Sequence, residues 1–79
     1  MWTPFVAISD LVEKTSEIAA ILKSLEASAS PERSRMKDTL ATQLSELLHL
    51  VFILAEHYGI ELEESFMQTM NDYVLKFIK

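Results

Sequence analysis

The side chains that could do chemistry are few and mostly acidic. Glu13 and Glu17 stand four residues apart, so on a helix they stack on one face, and Asp10 falls on the same side. Glu46 and His49 are three apart, with Gln43 one turn earlier, and form a second polar group. Carboxylates on facing helices of a bundle can hold Mg²⁺ or Mn²⁺ through hard oxygen ligands, and Mg²⁺ orients phosphate oxygens for hydrolysis. On that chemistry these two polar groups are a candidate metal-binding cluster. The competing reading is an acidic face turned to solvent, the ordinary fate of surface glutamates. No cysteine occurs, which removes disulfides and thiolate metal sites. His49 and His57 are the only imidazoles, too few for a closed zinc site without several carboxylates. His49 sits within an apolar run and is expected at an interface, within reach of Glu46 at i−3. His57 is expected near a helix end.

Three helices must position these groups. Thr3 followed by Pro4 reads as an N-cap with proline in the first turn. Ile8, Leu11, Val12, Thr15, Ile18, Ala19, Leu22 and Leu25 then recur at three- and four-residue spacing, predicting a helix over about 4–27. Ser28-Ala29-Ser30-Pro31 breaks it, and a second helix is expected over about 31–58. Its main stripe is Met36, Leu40, Leu44, Leu47, Val51, Leu54, Ala55 and Tyr58, and Gly59 supplies a left-handed terminator. Glu61, Glu63 and Glu64 precede or open a third helix over about 62–78, and Lys76 and Lys79 close it, both complementing the helix dipole. Leu62, Phe66, Met70, Tyr73, Val74 and Phe77 form its stripe. Residues 1–79 are therefore expected to make one all-α domain, a three-helix antiparallel unit.

The second helix carries more apolar surface than such a unit can cover. At roughly 100° per residue, Leu50 and Ile53 fall nearly opposite the Leu44/Leu47/Val51 stripe, and Phe52 points in a third direction. A helix that is apolar all round is buried all round. Glu46, His49, Leu50, Phe52, Ile53 and His57 are thus the expected oligomer interface, and a homodimer or higher bundle is the expected assembly. Size points the same way. A 79-residue chain buries only about 60% of its unfolded surface and needs a disulfide, a structural metal or a partner.

Composition excludes several partners. Net charge is −5 and no basic stripe is present, so nucleic acid lacks its electrostatic footprint. The longest apolar run, Leu47 to Ala55 interrupted by His49, is about half of a membrane span, and the N-terminal residues do not read as a secretory signal. The expectation is a cytoplasmic protein that engages no membrane.

Around the acidic residues the chain resembles a known family. Glu13-Lys14-Thr15-Ser16-Glu17-Ile18-Ala19 is similar to an E-E-x-x-E segment on one helix, and Gln43-Leu44-Ser45-Glu46-Leu47-Leu48 to an E-x-x-D segment on a second. Leu54-Ala55-Glu56-His57-Tyr58-Gly59-Ile60-Glu61-Leu62-Glu63-Glu64 is similar to the turn that follows. Together these cover about two thirds of the chain and resemble the MazG-like all-α nucleoside triphosphate pyrophosphohydrolases. The resemblance implies Mg²⁺ held by Glu13, Glu17 and Glu46, a nucleotide as ligand, and cleavage of a triphosphate to monophosphate and pyrophosphate. Three positions depart from the pattern: Lys14 and Gln43 replace two of its glutamates, and Glu46 replaces its aspartate. With that incomplete set, the expected function is a helical homo-oligomer that binds a partner or small ligand, with Mg²⁺-dependent pyrophosphohydrolysis as the alternative.

Overall fold

Thr3 begins the fold as the sequence predicts: its hydroxyl oxygen accepts the Val6 N–H at 3.2 Å and its carbonyl accepts the Ala7 N–H at 3.1 Å. Pro4 then occupies the first helical position, where a missing N–H costs nothing. A computed structural model describes residues 1–27 and 30–77. Ser28 and Ala29 of the expected break, the expected helix end at 78 and Lys79 lie outside the described residues. The three helices are α1 (Pro4–Ala27), α2 (Ser30–His57) and α3 (Leu62–Phe77), and no strand occurs among the described residues.

Helices α1 and α2 pack as an antiparallel hairpin. Near its closed end the Arg33 guanidinium donates to the Leu25 carbonyl at 2.7 Å, satisfying one of the last carbonyls of α1. At its open end the Trp2 ring meets the His57 ring edge-on at 5.0 Å. The shielded positions of α1 include Ala7, Leu11, Lys14, Ile18, Ile21 and Leu25; those of α2 include Arg33, Met36, Leu40, Gln43, Leu47, Leu50 and Leu54. Both series alternate steps of four and three, the spacing that keeps one face of a helix against a neighbouring helix.

This seam corrects the expected stripes. Ile8, Val12 and Leu22 on α1 and Leu44 on α2 are exposed, one position away from the residues that face the neighbouring helix. Leu50 and Ile53, expected on an outer association face, are half-buried instead, and Leu50 shares a depression with Asp10 and Glu13 of α1. The reason is that α2 bears apolar residues in several directions, so periodicity identifies an amphipathic helix without saying which direction its neighbour occupies.

The end of α2 is a Schellman turn. The Ile60 N–H reaches the Ala55 carbonyl at 2.8 Å, and the Gly59 N–H reaches the Glu56 carbonyl at 3.1 Å. Gly59 has φ +65°, which glycine adopts without steric cost. The turn sends α3 away from the hairpin: α3 packs along neither α1 nor α2, and none of its residues is buried. The expected three-helix antiparallel unit is therefore a two-helix hairpin with an outlying third helix.

The molecule measures 47 × 42 × 15 Å. Helix α2, with 28 residues, accounts for about 42 Å of that length. Helix α1 packs beside α2 and α3 packs along neither, so no third helix is stacked over the hairpin. The radius of gyration is 16.1 Å, against about 12 Å for a compact domain of this length. The exposed area is 6604 Å², about 1,700 Å² more than the ~4,900 Å² expected of a compact monomer of this mass.

Replacing Gly59 tests the turn in isolation, because a Cβ there meets nothing within 4 Å. Gly59→Ala is expected to cost about 1 kcal/mol from the left-handed backbone alone. Gly59→Asn is expected to cost less; thermal denaturation followed by circular dichroism reads both.

Candidate functional site

The polar groups meet where the hairpin seam is interrupted. Lys14 holds a seam position on α1 that apolar residues occupy one turn before and after, at Leu11 and Ile18. A lysine there buries its methylenes along the seam and carries its ammonium to the rim. The Lys14 side chain is 23% exposed, and its Nζ lies 2.9 Å from Glu46 Oε2 and 3.6 Å from Glu17 Oε2. The first contact crosses from α1 to α2, and the second runs along α1.

Beside this pair lies a shallow depression of about 340 Å³, lined by Asp10, Glu13, Lys14, Glu46, His49 and Leu50. Two of the three candidate ligands, Glu17 and Glu46, converge on one ammonium, and the third, Glu13, lines the adjoining depression. They do not gather into a cation site: among the described residues no group of three carboxylates or imidazoles is placed to hold a metal ion. As seated, the donor set suits an ammonium, and a divalent cation would have to displace Lys14. The residues present do not fit Mg²⁺.

Pairing moves the Lys14 pKa up from its ordinary 10.5. The hydrogen bond to Glu46 is the main cause; partial desolvation opposes it, and the charges of Glu17 and Glu46 reinforce it.

Gln43 is the other polar residue on the seam. Its side-chain Oε1 is shielded from solvent and accepts no hydrogen bond. Lys14 and Gln43 are thus both seam residues as well as the two positions that break the acidic pattern. The clue in the sequence was the four-three series Ala7-Leu11-Lys14-Ile18-Ile21-Leu25, in which Lys14 stands out as the one polar member.

The remaining candidates are dispersed. His49 is exposed on the rim of the depression. His57 is exposed at the hairpin's open end between the rings of Trp2 and Tyr58, at 5.0 and 4.8 Å. Phe52, at 51% exposure, lies on an open face of α2 with Leu44 and Leu48. A second, apolar concavity of about 460 Å³ lies in the corner between α2 and α3, and periodicity within single helices did not reveal it.

No protein-family model, no curated protein and no solved structure matches the chain.

Two outcomes follow from this geometry. Because the folded state holds the Lys14 proton more tightly than the unfolded chain, the pair's stabilisation is present below pH ~10.5. It is lost as pH rises through the elevated folded value. In denaturant titrations from pH 8 to 12, Lys14→Met should therefore show a shallower alkaline fall than the parent chain. Gln43→Met removes a shielded acceptor without a partner and fills the seam. It should stabilise the hairpin by ~1 kcal/mol, read as a higher melting temperature.

Proposed function

We propose that this chain is a self-assembling helical module on a MazG-like scaffold, in which the ammonium of Lys14 occupies the centre of the acidic cluster. The observation that carries the reading is the open area: about 1,700 Å² per chain beyond that of a compact monomer of this mass. Two copies together would have about 3,400 Å² to remove from water, within the range of obligate homodimers. Much of the open surface is apolar, including Leu44, Leu48 and Phe52 on α2 and Phe66, Met67, Tyr73, Val74 and Phe77 on α3. Large exposed apolar faces of this kind mark interaction sites.

We place the module in the cytoplasm. The segment Pro31–His57 is long and apolar enough to cross a membrane, with a mean hydropathy of 1.2. It carries Gln43, Glu46 and His49 near its middle, and Glu46 is tied to Lys14 of α1. Such groups are costly in hydrocarbon, which favours a protein partner over lipid. The acidic balance of −5 argues against nucleic acid as the partner.

The alternative is cleavage of a nucleoside triphosphate to monophosphate and pyrophosphate with Mg²⁺. The depression holding Asp10, Glu13, Glu46 and His49 is the feature in its favour, and the ammonium within it is the feature against.

Analytical ultracentrifugation at low micromolar concentration should give a mass that is a multiple of the 9.0 kDa chain. Phe52→Asp should shift the population toward single chains that keep their helical circular dichroism, since Phe52 takes no part in the hairpin seam. A stable single chain at all concentrations would remove the assembly reading. Incubation with Mg²⁺ or Mn²⁺ and a panel of nucleoside triphosphates should release no pyrophosphate. Turnover abolished by Glu17→Gln would instead establish the enzyme.

A further inference from the structure

The corner between α2 and α3 is lined by Leu48, Val51, Phe52, Leu62, Glu63 and Phe66, five of them apolar. It is open, and among the described residues its lining comes from α2 and α3 alone. The apolar stripe of α3 continues from this corner through Met70 to Tyr73 and Phe77, whose rings lie 4.8 Å apart, and no residue of the stripe is buried. One chain thus presents an apolar concavity at the start of α3 and a pair of aromatic rings in tilted contact near its end.

The geometry points to a two-fold dimer in which α3 of a second copy lies antiparallel to α3 and seats its Tyr73 and Phe77 in this corner. The inference rests on the self-assembly reading and deepens it by naming the surface and the occupant.

Three observations select a second copy in this orientation. Pairing about a point between Thr69 and Met70 sets Leu62 against Phe77 and Phe66 against Tyr73, so the apolar stripes coincide along the helix. The first turn of α3 carries Glu63 and Glu64 and the last turn carries Lys76. Antiparallel pairing brings the acidic end beside the basic end and opposes the two helix dipoles, whereas parallel pairing brings acids to acids. The second copy also supplies the layer that a molecule 15 Å thick lacks, and the open area of two chains is that of an obligate dimer. A lipid surface fits less well, because Glu63 lines the corner and Glu61 and Glu64 adjoin it.

The chain has no cysteine, so single cysteines report the docking. Met70→Cys lies next to the symmetry point and should join two copies under mild oxidation. Leu62→Cys should not, because antiparallel pairing holds its two copies about 22 Å apart along the helices, beyond disulfide reach. The expected result is a dimer mass by ultracentrifugation for the parent chain and both reduced variants, with ~10-fold more linked dimer for Met70→Cys than for Leu62→Cys. Thr69→Cys gives the same readout if Met70→Cys weakens assembly. Equal linkage at 62 and 70 would indicate parallel pairing and overturn the docking. A dimer mass without linkage at 69 or 70 would overturn the docking while leaving self-assembly intact. A single-chain mass would overturn both, and its depletion by phosphatidylcholine vesicles would assign the open faces to lipid.

Discussion

A single layer of helices can shield side chains only along its lateral seams, and most of this molecule follows from that constraint. Its thinnest dimension is 15 Å, and among the described residues the buried apolar ones are Ala7, Leu25 and Ala55. Two of the three are alanines, whose burial removes little apolar surface from water. The larger side chains of the seam, such as Leu11, Ile18, Leu47 and Leu50, are shielded by one neighbour and only half covered. Hydrophobic stabilisation scales with area removed from water, so a hairpin of this kind is weakly held by itself. What lies above and below the layer therefore bears on the stability of the fold as much as on its function.

Within the hairpin, Lys14 joins the local chemistry to the packing. An ammonium cannot remain in an apolar seam without a counter-charge, and here it reaches outward to Glu46 on α2 and Glu17 on its own helix. The cross-helix contact favours the register in which residue 14 faces residue 46, in line with the Arg33–Leu25 bond at one end and the Trp2–His57 ring contact at the other. The same ammonium contacts two of the three carboxylates that the sequence offered as a ligand set.

Helix α3 stands apart because the Schellman turn at Gly59 fixes the direction in which the chain leaves α2. The resulting corner between α2 and α3 is a product of the turn: its lining comes from residues 48–52 and 62–66, brought together by a four-residue connection. A helix of 16 residues is marginal alone in water, and the pronounced apolar stripe of α3 is the surface through which packing would stabilise it.

Helix number and type were legible in the sequence because their causes are local: the Thr3-Pro4 cap, the three- and four-residue apolar spacing, and the Gly59 terminator act within a few residues. The surplus of apolar surface was legible too, since it is a property of composition and angle on one helix. Which face meets which neighbour was not. Leu50 and Ile53 turned toward shelter, while Ile8, Val12 and Leu44 remained open, because seam choice depends on the summed fit of two helices. The candidate site divided along the same line. Its acidic residues could be named from their spacing, but the ammonium at their centre depends on α1 and α2 meeting in one register, and only tertiary packing sets that distance.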